Sequence, residues 1–473
     1  MTNQEPLFAA EAILRATGGK PLRGGSRWSC GGFSTDTRSM AAGNLFIALT
    51  GENFDGHDCL KAAADKGASG LLIGLDHRDK LDEIDSALPA IGVPDTMRAL
   101  GDIAHAWRKR FSLPVVAITG SAGKTTTKEM LAAIASRTRT ILKTEGNRNN
   151  LIGLPLTLLQ LRKEHEFAIV EMGTNQPGEI ARLAAIAAPD VGIITNIGPA
   201  HLEGLVSMEG IREEKGGLFN VMAGRGTAVI NGDDPAIGIL AERWPGRRIT
   251  FGLGAGADVT ARGVEHAGPG GIRFNLLIEG IGIRVLLRSP GEHNVLNALA
   301  AAAAAWVLGF DRNLIAEGLD AFSPVPGRTE IRQLGNGAHM ILDTYNANPA
   351  SMREAIKTLQ GLRGQGRAFA ILGDMLELGE RAEELHEEIG QSVPEAGMDH
   401  LFLKGILSRF TAAGAVKKGL PGERVTLFDD PQTVVADLKS RLRKGDWILI
   451  KGSRKMKLEK VAEAIIAAFD LKP

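Results

Sequence analysis

The stretch from Val115 to Met130, VVAITGSAGKTTTKEM, constrains the fold more than any other part of the chain. An apolar run leads into a loop containing Gly120, Ser121, Ala122 and Gly123, and Lys124, Thr125 and Thr126 open a helical pattern. Glycines at 120 and 123 let the backbone curl so that amide donors face a phosphate chain. The helix N-terminus adds positive potential, Lys124 supplies charge, and Thr125 offers a hydroxyl to Mg²⁺. The loop is short: Ile118 stands six residues before Lys124, where the usual phosphate-loop pattern has its first glycine.

The surroundings suit such a loop. Apolar runs VVAITG, FAIVEMG, VGIITNIG and GTAVING alternate with helix-like periodicity up to about Gly252, which argues for a parallel sheet covered by helices. From Asp258 to Arg288 the pattern becomes strand-like alternation broken by glycines, which predicts antiparallel hairpins. A second strand–helix series, HMILD, RAFAILGD, HLFLKG, RVTLFDD and DWILIKG, follows a hinge marked by Pro324, Pro326 and Gly327. With NLFIAL and GASGLLIG as strands of an N-terminal unit, the partition is three α/β domains: 1–112, 113–325 and 326–473.

Composition narrows the partners. Lys plus Arg and Asp plus Glu balance at 55 each, so no basic field favours nucleic acid or an anionic membrane. Cys30 and Cys59 are too few for a disulfide framework and suit a reducing cytoplasm. The N-terminus reads as an amphipathic helix without the basic and apolar regions of a signal peptide. The longest apolar run, Ala298 to Phe310, is shorter than the roughly 20 residues a membrane span needs and reads as a buried helix.

Further residues could share the phosphate site. Glu171 ends the FAIVEMG strand, at the edge where ligands gather in α/β sheets, and either binds a metal or caps a helix. His201 ends another strand and is either a ligand or a packing residue. Lys215, in GIREEKGGLF, reads on its own as a solvated charge on a helix face.

Taken together, TGSAGKTT, STDTR, DGHDCL, GNRNNLIGLPLTLL, EMGTNQPGEI, GEHNVLNALAA, PGRTE, DTYNANPASMREAI, LGDMLELG and KGSRKMKLEKV resemble, in order, the Mur ligase family of ATP-dependent amide-bond-forming enzymes in peptidoglycan synthesis. Within that family, MGTNQPGEI and YNANP are similar to the member that joins D-alanyl-D-alanine to UDP-N-acetylmuramoyl-tripeptide (UDP-MurNAc-tripeptide). The resemblance implies a central phosphate-loop ATPase domain with an antiparallel extension, a Rossmann-like C-terminal domain and a small α/β N-terminal domain.

It also implies roles for particular residues. Lys215 is expected to be carbamylated by CO₂ and to hold a second Mg²⁺ with His201, while Thr125 and Glu171 hold Mg²⁺ nearer the β and γ phosphates. Arg328 is expected to reach the ATP phosphates, Asn294 and Asn297 the adenine, and Asp343 the ribose. Tyr345, Asn346 and Asn348, followed by Pro349, are candidates for the D-alanyl-D-alanine pocket. Ser34, Thr35, Thr37 and Arg38 are candidates for the UDP moiety, and Asn149 and Asn150 for the peptide or muramoyl part. A cytoplasmic monomer is expected, and no residue stands out as the base for the incoming amine. The competing readings are a related amide ligase and an ATP-binding regulatory module without turnover.

Overall fold

The computed structural model describes residues 8–470, so the first seven residues of the N-terminal reading and the last three of the C-terminal domain lie outside it. Its contacts group into two compact units. The first comprises 1–117, 140–172 and 181–189, and the second 118–139, 173–180 and 190–473.

In the first unit the N-terminal helix is Ala10–Thr17, ended by Gly18 in the left-handed conformation. Strands β1 (Lys20–Arg23), β2 (Gly32–Ser34), β3 (Asn44–Ile47), β4 (Gly70–Gly74) and β5 (Ala90–Val93) form a sheet in the order β1-β5-β4-β3-β2. All its pairs are parallel except the β1 edge. β3 and β4 are the two strands expected from NLFIAL and GASGLLIG. They read as unbroken apolar runs because Leu45, Phe46, Ile47, Leu71, Leu72 and Ile73 are all buried. β6 (Val115–Thr119) starts in this unit and ends in the second. β7 (Ile141–Lys143) and β8 (Phe167–Glu171) pair in parallel within the first.

In the second unit β9 (Val191–Ile194), β10 (Thr227–Asn231), β11 (Arg247–Phe251) and β12 (Val259–His266) are joined in parallel. β13 (Ile272–Ile278) and β14 (Ile281–Leu287) then extend the sheet as antiparallel hairpins, as the alternation predicts. On β13 the buried set is Ile272, Phe274, Leu276 and Ile278, a strict period of two. The Ala-rich segment is the helix Glu292–Val307, whose residues 298–305 are fully buried against the helix Lys124–Ala135 and strands β10 to β12. Small side chains allow that close approach. No helix among the described residues is long and apolar enough to cross a membrane.

The C-terminal part of this unit is a six-stranded sheet of β15 (Glu330–Gln333), β16 (His339–Asp343), β17 (Ala368–Gly373), β18 (His400–Lys404), β19 (Val425–Leu427) and β20 (Trp447–Lys451). Its order is β15-β16-β20-β17-β18-β19, parallel apart from β15. β20 therefore lies between β16 and β17, and the loops leaving these three strands meet at one sheet edge, where open α/β folds bind ligands.

Candidate active site

The loop from Gly120 to Gly123 leaves β6 with backbone angles that only glycine adopts comfortably: φ is +146° at Gly120 and +81° at Gly123. A Cβ would lie 1.9 Å from Thr195 Oγ1 at the first position and 2.2 Å from Asn297 Oδ1 at the second. The intervening turn is fixed from the side. Ala122 N–H donates to Asn196 Oδ1 at 2.9 Å, Thr195 Oγ1 donates to Ala122 O at 2.6 Å, and Ser121 Oγ exchanges hydrogen bonds of 2.9 Å with the Gly198 backbone. Lys124 Nζ folds over this cradle onto Gly120 O at 2.7 Å, with Thr125 buried and Thr126 half-buried in the following turn.

Lys215 is not a solvated surface charge. It lies on the helix Met208–Met222 at 1 % exposure, and burial, aided by the charge of Lys124, pushes its pKa down to about 7 against the weaker opposing pull of Glu214. Glu214 faces the segment Gly173–Ile180. It accepts from Thr174 Oγ1 at 3.1 Å, Gly178 N–H at 2.6 Å and Ile180 N–H at 2.8 Å, and so shapes the GTNQPGEI turn. His201 has φ +57°, and its Nδ1 lies 2.7 Å from Glu377 Oε2. A carboxylate held below its ordinary range by that bond only accepts, so Nδ1 is assigned as the donor.

The adenine candidates have internal partners. Asn294 donates to Ser289 Oγ and Pro290 O, Asn297 donates to Asn294 Oδ1 at 3.1 Å, and Thr127 donates to Asn297 Oδ1 at 3.3 Å. These buried amides thus tie the helix Glu292–Val307 to the one that begins at Lys124. Asp343 pairs with Lys451 at 2.5 Å and accepts from Thr329 N–H at 3.3 Å, while Lys451 also donates to Asn346 O at 3.0 Å. The Arg328 guanidinium lies 4.0 Å from the centre of the Tyr345 ring, and its Nε is buried without a hydrogen bond. A half-buried guanidinium with an unpartnered Nε fits an anionic ligand. Asn348 caps the helix Pro349–Leu362 and extends its amide to Ser121 O at 3.3 Å, so the YNANP turn touches the phosphate loop.

In the first unit, Ser34, Thr35 and Asn150 line one cavity of about 630 Å³, together with Arg148, Gln160 and Arg162. Thr37 and Arg38 do not line it. Thr37 O accepts from Lys66 Nζ at 2.6 Å, and the exposed Arg38 grips Asp36, whose carboxyl that bond lowers to about 2. Asn149 donates to Glu171 Oε1 at 2.8 Å. Glu171 is buried, and its backbone N–H donates to Thr144 Oγ1. Asp55, His57 and His77 also converge in this unit, with potential ligand atoms within 4.8 Å of one another. Their groups are already engaged: His57 Nδ1 meets Asp55 at 2.6 Å, its Nε2 accepts from Gly74 N–H at 2.9 Å, and Lys80 stands 3.7 Å from Asp55. The DGHDCL motif thus builds a hydrogen-bonded core.

Three models of the Mur ligase family match the chain: the catalytic domain at 31–108, the middle domain at 118–305 and the glutamate ligase domain at 327–454. A UDP-N-acetylmuramoyl-tripeptide--D-alanyl-D-alanine ligase of Bacillus subtilis is 36 % identical over 92 % of this chain and 93 % of its own. The chain belongs to the Mur ligase family. A solved structure of MurF from Acinetobacter baumannii superposes with a TM-score of 0.87 at 32 % identity, covering 97 % of this chain and 99 % of that one. A MurF ligase from Thermotoga maritima, in complex with ADP, superposes with a TM-score of 0.82 at 30 % identity, covering 92 % and 97 %. The chain has the three-domain α/β architecture of the family.

Several residues around these candidates lie in sequence motifs that assign them no role. Lys451, Asn196, Glu214 and Glu377 are ordinary polar residues in their local patterns, and their partners lie 108, 74, 40 and 176 positions away. Only the cationic strand end WILIK could have suggested a partner for Asp343.

Proposed function

We propose that this chain uses ATP to join D-alanyl-D-alanine to UDP-N-acetylmuramoyl-tripeptide, giving the pentapeptide precursor, ADP and phosphate, as a monomer in the cytoplasm. The observation that carries the chemistry is the buried Lys215, with its pKa near 7 and in the field of Lys124, behind a compact phosphate loop. The choice of substrates is supported by the full-length likeness to ligases named for that reaction.

The first step is attack by the tripeptide carboxylate oxygen on the γ-phosphorus, breaking the bond to ADP and leaving an acyl phosphate. The amine nitrogen of D-alanyl-D-alanine then attacks the acyl carbon, phosphate leaves with the C–O electrons, and the amine loses a proton. Two anions meet in the first step, so charge neutralisation governs the rate. Lys124, together with the N-terminal turn of the helix it opens, holds the phosphates, and Arg328 brings its guanidinium, with Nε unpartnered, to them. Thr125, Glu171 and His201 offer hydroxyl, carboxylate and imidazole donors suited to Mg²⁺. Mg²⁺, when bound at its two sites, supplies further neutralisation. Lys215 near pH 7 has a large neutral fraction, and a neutral amine is the form that adds CO₂, so we assign it as a carbamate that completes the donor set. Asn294 and Asn297 hold the adenine side and Asp343 the ribose.

The domains are assigned as 1–112 for the UDP moiety, 113–325 for ATP and 326–473 for D-alanyl-D-alanine, with Tyr345, Asn346 and Asn348 at the dipeptide pocket. Ser34, Thr35 and Asn150 line the UDP-substrate cavity. Thr37, Arg38 and Asn149 remain proposed contacts for the UDP-substrate, made by exchanging their present partners.

Mass spectrometry of the product made from a panel of dipeptides and UDP-peptides tests the assignment. The UDP-MurNAc-pentapeptide is expected, and preference for another amine or acid would overturn it. Lys215→Ala should abolish ligation, with partial recovery in the presence of short carboxylic acids. A fully active variant would remove the carbamate from the mechanism.

A further inference from the structure

The segment LGDMLELG follows β17, and its backbone is pinned at successive positions. The Asp374 carboxylate accepts from Leu407 N–H at 3.1 Å and Ser408 Oγ at 2.9 Å. Met375 N–H donates to His386 Nε2 at 3.0 Å, and Leu376 N–H to Ser453 Oγ at 2.9 Å. The next residue, Glu377, is held at φ +64°, a left-handed conformation that is strained for a non-glycine residue. Its backbone oxygen accepts from Glu203 N–H at 3.2 Å, and its carboxylate takes His201 Nδ1 at 2.7 Å. His201 is itself left-handed at φ +57°. Left-handed residues thus stand at both ends of one hydrogen bond, which joins the phosphate-loop part of the unit to the part beyond the Pro324–Gly327 hinge.

A carboxylate on one imidazole nitrogen sets the tautomer and ring plane and leaves the other nitrogen's lone pair presented. This is the arrangement that tunes ligating histidines, and its loss costs about 10- to 100-fold in affinity or activity. We propose that Glu377 is a positioning residue for His201, supplied from the C-terminal part, so that His201 is oriented toward the nucleotide site only while that part is docked. The proposal rests on the reading of His201 as a residue of the ATP–Mg²⁺ site.

The test combines kinetics with ¹⁵N NMR of the full-length protein labelled at histidine, His201 being assigned by difference from His201→Ala. In the wild type at alkaline pH, with a non-hydrolysable ATP analogue and UDP-MurNAc-tripeptide but no divalent metal, the docked form should show Nδ1 protonated and Nε2 unprotonated. Glu377→Ala should shift His201 toward a mixture of tautomers and lower kcat by about 10- to 100-fold, with little change in KM for ATP. Glu377→Gln keeps an acceptor oxygen, so both the tautomer and most of the rate should be retained, which also separates positioning from misfolding. Unchanged His201 shifts and wild-type kcat in Glu377→Ala would overturn the proposal, as would a Glu377→Gln variant that folds but loses the tautomer. Full ligation activity in His201→Ala would instead overturn the underlying reading of the site. An inactive His201→Ala beside a wild-type Glu377→Ala would sink only the role of Glu377.

Discussion

At the scale of single residues, the site departs from comfortable geometry in a cluster. Between His201 and the helix carrying Lys215 stands Val206, at φ +65° and 82 % exposed, so its branched side chain gains little from packing. Such backbone strain costs about 1–3 kcal/mol, whereas replacing a residue by glycine costs about 0.4–1 kcal/mol through the unfolded chain. Strain relief wins, and Val206→Gly should raise stability by about 1 kcal/mol in urea titrations. A destabilised variant would show that the strained turn is compensated elsewhere. Lys215 illustrates the opposite balance: its local sequence, Glu213–Glu214–Lys215, predicts a solvated ion cluster, but the tertiary packing leaves the lysine dry and turns Glu214 toward backbone amides.

At the scale of elements, the loop bearing Glu377 depends on a neutral histidine. His386 is buried in the helix Ala382–Glu395; its Nδ1 lies 2.6 Å from Ala382 O and its Nε2 accepts from Met375 N–H. Burial lowers its pKa below the ordinary 6.5, only partly offset by the bond to Ala382 and the charge of Asp374. The unfolded chain therefore binds the proton more readily. Stability from this group is complete above pH 6.5 and declines as pH falls through the window between 6.5 and the lower folded value. Thermal melts should show that decline in the wild type and a flatter profile in His386→Gln. Equal slopes would assign the acid sensitivity to other groups. The strand elements themselves were legible. β6, β9, β10, β17, β18 and β20 are buried almost throughout and β13 alternates, because burial on two faces or one writes itself into the local pattern.

At the scale of the whole molecule, the proposed binding of ligands by different domains calls for motion about the hinge. Opening at Pro324–Gly327 would break the Asn348–Ser121, His201–Glu377, Glu203–Glu377 and Lys357–Glu292 contacts, so the docked form has to be favoured by the ligands it closes on. Adding a non-hydrolysable ATP analogue and UDP-MurNAc-tripeptide should narrow the distribution of radii seen by small-angle scattering and lower its mean. An unchanged profile would contradict hinge closure.

The local sequence determined the strand–loop–helix phosphate cradle, the alternating α/β elements, the hairpin extension and the buried alanine helix, because each depends on spacing between near neighbours. Only the tertiary structure decided that Lys215 is dry, that Asn149 meets Glu171 while Asn150 faces the cavity, that Arg38 grips Asp36, and that Glu377 reaches His201. Apart from the Arg38 contact, these outcomes depend on packing and on partners brought together from distant parts of the chain. Burial and hydrogen-bond direction are properties of that assembled environment, and no short window of sequence contains them.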